Sequence, residues 1–238
     1  MIGSKKIQFV ASKKNMVDVW PHPKPSTQFI PDEYKKMPRH NEKNLHNPTV
    51  KTCMPFLDSL IAGYIIPFDQ DYVIDPSTEV EKDTNKVIQK FDISPANGEQ
   101  DDIGFHDITQ LPVSWRESHG DRAGKFINKW LIKTPPGYSC LFLKPMNRLE
   151  SRFDIISGIV DTDTYINLIN FPFLVKEKEQ FLVKKGEPMV QVIPFKRESW
   201  KMWSGFYWEK LHNKTLSLLN SVFIDRYKTM FWRKKSFK

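Results

Sequence analysis

Asp161, Asp163 and Tyr165 alternate along GIVDTDTY (158–165), placing two carboxylates and a phenol in one short stretch. Carboxylates and phenols are residue types of proton transfer. The same carboxylates also suit a strand-to-strand turn, where Asp side chains accept backbone N–H groups. A second polar cluster holds His106, Asp107 and His119, with Asp101, Asp102 and Asp121 nearby. These are ligand types for a cation, but their spacing fits no recognised ligand pattern, so a solvated loop is expected. The six histidines form no H-x-H or H-E-x-x-H pair, and no P-loop, dinucleotide fingerprint or G-x-S-x-G occurs. Near the end, Trp200, Trp203, Phe206, Tyr207 and Trp208 interleave with Lys201 and Lys210. Aromatic rings among cations can stack single-stranded bases. They serve equally as a packing collar or an interface hot spot.

The elements that must position these residues are mostly strands. Residues 126–195 read as short strands separated by turns, the pattern of a sandwich or barrel. The spans are Ile127 to Lys133, Ser139 to Pro145, Phe153 to Ile156, Tyr165 to Phe171, Phe181 to Val183 and Met189 to Pro194. Thr134-Pro135-Pro136-Gly137-Tyr138 suits a β-turn, with proline ahead of glycine. Lys6 to Ala11 supplies a short strand near the start. Phe56, Leu57, Leu60 and Ile61 have helical spacing, and Tyr64 to Phe68 and Asp71 to Ile74 read as a strand pair.

Residues 20–49 contain Pro21, Pro23, Pro25, Pro31, Pro38 and Pro48. That density precludes a continuous helix or a central strand. An extended arm is expected there, anchored by Trp20, Phe29 and Tyr34. Residues 76–125 are polar and acidic and read as a long insertion with one strand, Val87 to Phe91. From Asn213 onward, Leu216, Leu219, Phe223, Tyr227 and Met230 or Phe231 recur at three or four. This predicts an amphipathic helix of about five turns, capped at Asn213 or Thr215. The domain division is 1–49 for the strand and arm, 50–198 for the β domain, and 199–238 for the aromatic and basic tail.

The net charge of +8 is uneven. Residues 1–50 carry +5, residues 51–198 carry −4, and residues 199–238 carry +7. Basic ends can meet nucleic acid, an anionic membrane or an acidic protein, or stay solvated. No apolar run approaches the ~18 residues of a membrane span, and no signal peptide is read at the N-terminus. Cys53 and Cys140 lie far apart, outside any C-x-x-C pattern. Free buried thiols in a reducing compartment are expected.

GIVDTDTY, the run to Asn170 and GEPMVQV (186–192) together resemble the core of the dUTPase and dCTP deaminase superfamily. Its pattern runs G-x-I-D-x-D-Y, a strand, Asn, then G-D-R-I-A-Q. Ala62-Gly63-Tyr64 resembles the family's A-G-Y-D-L motif, and Lys133 to Tyr138 its I-x-I-P-x-G-Y-Y turn. The resemblance covers about 130 residues and implies a mainly β fold, a dUTPase-like β-clip barrel. In it Asp161 matches the general base that activates water, and Tyr165, Gln191 and Arg148 are candidate ligand contacts. Mg²⁺ would be required only for hydrolysis, and otherwise no cofactor is implied. The departures fall on the chemistry. Ile65 replaces the first motif's aspartate, and an aliphatic side chain offers a hard cation no oxygen ligand. Met146-Asn147-Arg148 replaces the arginine-serine-glycine that contacts phosphates, with Arg148 or Arg152 the remaining charges. Tyr165 falls one residue late, the glycine-rich closing loop is absent, and the deaminase's arginine loop and glutamate have no clear equivalent.

A second resemblance rests on TVKTCMPFLDSLIAGYIIPFDQD (49–71), FINKWLIKTPPGYSCLFLKPMNR (126–148), GIVDTDTYINLINFPF (158–173) and GEPMVQVIPFKRESWKM (186–202). These strings are similar to an uncharacterised family encoded by tailed phages, T4-like marine phages above all. That likeness implies phage origin and a place in the host cytoplasm or the virion, without secretion. The function expected is a non-enzymatic binding or structural module, with a divergent nucleotide-binding protein or hydrolase as the alternative. A protein partner or homo-oligomer is expected, a trimer by the fold resemblance, with nucleic acid at the basic tail as a further option. The candidate interface residues are Trp20, Trp200, Trp203, Trp208, Phe223 and Tyr227.

Overall fold

The computed structural model describes residues 5–80, 87–96, 103–115, 122–222 and 225–238. The chain is mainly β, and every strand pairing among these residues is antiparallel. The central sheet has five strands, in the order Gly158–Val160, Tyr138–Leu143, Pro188–Lys196, Tyr64–Pro67 and Lys24–Pro25. A four-stranded sheet runs Phe153–Ile155, Asn170–Val175, Arg122–Ile127, Ile103–Asp107. A three-stranded sheet runs Phe181–Val183, Tyr72–Val80, Val87–Pro95. Gln8–Ala11 pairs with Trp130–Lys133, and His40–Asn41 with Asn44–Pro48. The sheets keep open edges, so among the described residues no closed barrel forms, in contrast to the barrel expected. Nor is any described helix long and apolar enough to cross a membrane.

Phenylalanines join the sheets. Phe126 stacks on Phe173 at 4.0 Å, and Phe68 meets Phe126 edge-on at 4.9 Å. Phe153, Tyr72 and Phe91 complete this buried cluster. Such pairs contribute about 0.5–1.5 kcal/mol each beyond the area they bury. Gly124 leaves room for it, since a Cβ there would lie 2.2 Å from the Phe173 ring. Gly63 is equally constrained. Its φ is +65°, and a Cβ would sit 1.9 Å from the Val192 carbonyl oxygen. This glycine ends the helix Met54–Ile61 and starts the strand Tyr64–Pro67, so the chain turns there only without a side chain.

The helix forms where the spacing predicts it, and the Pro135–Tyr138 turn closes with the Tyr138 N–H on the Pro135 carbonyl, Gly137 at φ +80°. The Pro-rich arm is pinned rather than loose. Lys24–Pro25 adds an edge strand to Ile65 and Tyr64, and Trp20 and Tyr34 are buried. Proline is tolerated there because an edge strand has an unpaired side.

Other expectations need correction. The segment read as an insertion with one strand contains Val87–Pro95, Ile103–Asp107 and the start of Arg122–Ile127, and Tyr72–Val80 runs into it. Phe91, Ile93 and Pro95 are buried while Asp92 and Ser94 are exposed, so polar composition hid a period-2 strand. The span Ile127 to Lys133 is not one strand. Buried Asn128 bonds both the N–H and the carbonyl of Trp130 across its own turn, letting the chain change sheets. The strand expected from Tyr165 starts at Asn170, and Tyr165 sits in a turn. The tail helix begins at Glu209, ahead of Asn213 and Thr215, and stops at Asn220. A second short helix, Arg226–Met230, follows Asp225 in the left-handed conformation, φ 54°. Cys140 is buried as expected, but Cys53 is exposed; both thiols are free.

Candidate functional site

The turn at Asp161 is built where Gly158–Val160 leaves the edge of the central sheet beside Tyr138–Leu143. Thr134 and Thr162 share a hydroxyl bond at 2.8 Å, and the Thr134 N–H donates to the Thr162 carbonyl. This staples the turn to the Pro135–Tyr138 loop. Asp163 is buried to 5% side-chain exposure. It accepts the Gly137 N–H at 2.8 Å and both Arg197 nitrogens, Nη1 at 2.8 Å and Nη2 at 2.5 Å. The Arg197 guanidinium, with the Gly137 N–H, holds the Asp163 carboxyl down to about 2. Asp161 accepts Ser139 Oγ at 2.6 Å and Arg197 Nη1 at 3.2 Å, both on Oδ1. Its Oδ2 has no hydrogen-bond partner among the described residues, and its side chain is 60% exposed.

Asp163 therefore does what an Asp at a turn does, and Arg197 binds the pair bidentately. Arg197 is the residue that sequence reasoning missed. Nothing in FKRE marks it. Only the register that sets Tyr138 opposite Lys196 brings its backbone N–H to the Gly137 carbonyl and its side chain over the turn.

The depressed Asp163 value fixes a pH signature. A carboxyl whose folded pKa lies below its unfolded value of about 4 contributes stability above that value and loses it as pH falls toward 2. Wild type is thus expected to melt above Asp163→Asn at pH 7, with the gap closing between pH 4 and pH 2. Melting curves at pH 7, 4 and 2 check this; a gap unchanged at pH 2 contradicts it.

Tyr165 lies on the same turn, its N–H on the Asp161 carbonyl and its ring 47% exposed. Its hydroxyl bonds Asn167 at 3.3 Å. Gln191 is elsewhere. Ser139 pairs with Phe195, and Leu143 with Gln191, so four residues, about 13 Å of strand, separate the Asp161 end from the Gln191 end. Gln191 is fully buried and its amide is used up: Oε1 accepts the Met146 N–H at 2.8 Å, and Nε2 donates to the Ser59 and Ala62 carbonyls at 2.9 and 2.6 Å. Arg148 sits on that same end, reaching the Leu60 carbonyl at 3.4 Å. The structure therefore brings Asp161 and Tyr165 together, and Arg148 and Gln191 together, without joining the two pairs.

The metal candidates are placed only in part. His106 bonds Gln110, and Asp107 accepts both the N–H and hydroxyl of Thr109. Asp101, Asp102, His119 and Asp121 lie outside the described residues. Among the described residues no group of three His, Cys, Asp or Glu is placed to hold a metal ion.

The interface candidates divide sharply. Trp20 is 7% exposed, packed edge-on against Trp130 with Lys129 above its ring, so it is a core anchor and offers no surface to a partner. Phe223 lies outside the described residues. Tyr227 is half-exposed and stacks on Phe231. Trp200, Met202 and Phe206 are 86%, 93% and 94% exposed, and Trp203, Tyr207 and Trp208 are 63–69% exposed. The following helix Glu209–Asn220 buries no residue. Both flanks of this excursion are tied down. Arg197 holds its start, as described. At its end Arg39 pairs with Asp225, Trp232 Nε1 and Lys235 bind Asp58, and Phe237 meets Tyr64. The segment from Trp200 to Asn220 thus stands out from a body to which the chain returns. No protein-family model matches the chain, and no curated protein matches it.

Proposed function

We propose that this protein is a non-enzymatic structural module that assembles with copies of itself through the projecting segment Trp200–Asn220. The observation that carries the reading is the exposure of five aromatic side chains within nine residues. At about 150–250 Å² each they approach the roughly 800 Å² that one partner of a standard interface buries. The occupant that fits is a second copy: the projecting segment carries Lys201, Lys210 and Lys214 against Glu209, a net +2, and residues 51–198 carry −4. Opposite charge on the two contact regions steers such an encounter.

The scaffold we assign is a degenerate dUTPase-like β-clip, of phage origin, with trimeric assembly as in that superfamily and a role in the virion or its assembly. The motif order from Gly63 to Gln191 and the phage-like strings support this reading. A non-catalytic role is supported by the division of the expected site, since Asp161, whose Oδ2 stays open among the described residues, lies about 13 Å of strand from the Gln191 end. Arg197 and Ser139 occupy Asp161 Oδ1, and Gln191 is committed to backbone groups.

Sedimentation velocity of the full chain at micromolar concentration is the direct test. A mass three times that of one chain is expected. A monomer at every concentration overturns self-assembly. Turnover of a deoxynucleoside triphosphate with Mg²⁺, abolished by Asp161→Asn, overturns the non-enzymatic assignment in favour of the hydrolase. Stoichiometric presence in purified particles is the expected result for a virion role.

A further inference from the structure

A cavity of about 590 Å³ opens between the Pro-rich arm and the end of the central sheet. Phe29 and Pro31 of the arm form one wall, and Phe153, Ile155 and Met189 form the apolar floor. The volume falls in the range that takes a small organic molecule.

Three cations and three carboxylates, Glu33, Glu150 and Glu187, border it, and two of the cations are already neutralised. Arg152 binds Glu150 through Nε and Nη2, and Glu187 through Nη2 at 2.8 Å. Lys144 binds Asp154 at 2.6 Å and the Glu150 carbonyl at 2.8 Å. Arg148 differs. Its Nε is buried without a hydrogen-bond partner. Its Nη2 reaches only the Leu60 and Ser26 carbonyls, at 3.4 and 3.5 Å, beyond ordinary bond lengths. Among the described residues it has no carboxylate partner. Burial pulls its pKa down to about 10, so it remains a cation at neutral pH. The enclosed Nε is out of a ligand's reach, but the Nη1 and Nη2 edge is not enclosed, and that incompletely bonded edge is the one open to an anion.

We infer that this cavity binds a small organic anion, its oxyanion on Arg148 and its apolar body between Phe29, Phe153 and Met189. One chain builds the whole cavity, so the inference does not depend on self-assembly. Neither Asp161 nor Tyr165 lines it, which separates it from the turn at Asp161. The guanidinium fork suits a carboxylate or a phosphate monoester, and the aromatic and thioether walls suit a ring.

Calorimetric titration of the full chain with indole-3-acetate and with phenyl phosphate tests this and tells the two oxyanions apart. At least one is expected to bind with a stoichiometry of about one. Its neutral counterpart, indole-3-acetamide or phenol, should bind ~10-fold or more weakly. Inorganic phosphate alone should also bind ~10-fold or more weakly, because it leaves the apolar floor unfilled. Arg148→Met should weaken the anion ~10-fold or more, and Arg148→Lys should do so less. Phe29→Ala, on the half-buried arm, should weaken it without touching the cation, which keeps a test available if Arg148→Met does not fold. Neither anion binding at millimolar concentration, a neutral analogue binding as well as its anion, or unchanged binding in a folded Arg148→Met would each overturn the inference.

Discussion

Gln191→Ala is expected to destabilise the protein by about 3–5 kcal/mol. The side chain is fully buried and joins three parts of the fold: its own strand, the end of the helix Met54–Ile61 through Ser59 and Ala62, and the loop at Met146. Truncation leaves the Ser59 carbonyl and the Met146 N–H without a partner, while the Ala62 carbonyl keeps the Ser26 hydroxyl at 2.8 Å. Each orphaned buried group costs roughly 1–3 kcal/mol, and the vacated volume adds to that. Gln191→Glu is expected to fail similarly, because a carboxylate would face the two carbonyls that the amide now serves. Urea denaturation gives the number. A loss below about 1 kcal/mol would show that these bonds do not hold the elements together. A ligand contact would behave in the opposite way, leaving stability intact and lowering binding alone.

Gln191 also shows what the sequence could and could not convey. MVQV announces a strand, and the strand is there. Yet Met189, Val190, Gln191 and Val192 are all buried, so both faces of this strand are covered and alternation cannot say where the amide points. Its partners come from residues 45 to 132 positions away. Asp163 is the easier case. Its chemistry as a turn acceptor is local to the aspartate, and only the identity of its cation required the register of two strands. The hairpin Tyr72–Val80 with Val87–Pro95 was hidden by its own exposure, since solvent-facing Asp75 and Asp92, paired across the strands, make the composition read as loop. The tail's periodicity ran on through Phe223 and Tyr227. The continuous helix nevertheless ends at Asn220, and Asp225 adopts a left-handed conformation that interrupts any five-turn helix. Arg148 was legible as a charge, but its lack of a partner is a property of burial and contact, which no spacing reveals.

Trp203→Ser with Trp208→Ser is expected to abolish self-association while leaving the fold intact. The two rings are 69% and 63% exposed and stack on each other at 6.2 Å and 27°. Gly205 permits this arrangement, because a Cβ there would sit 2.1 Å from the Trp203 ring. The pair is therefore held in place before any partner arrives, which lowers the ordering cost of association. Exposed side chains contribute little to the isolated fold, so a melting temperature close to wild type is expected under conditions where wild type is monomeric. Buried tryptophan hot spots contribute about 2 kcal/mol or more each. Losing both weakens association by roughly 4 kcal/mol, or about 1,000-fold. Sedimentation velocity should then find monomer at concentrations where wild type is assembled. Gly205→Ala supplies a finer reading, since it keeps both tryptophans but forces Trp203 off its neighbour, and an intermediate loss is expected. An assembly untouched by the double substitution would remove Trp203 and Trp208 from the interface. A double variant that unfolds would show that these rings support their own chain, and the projecting segment would then have to be read as part of the fold.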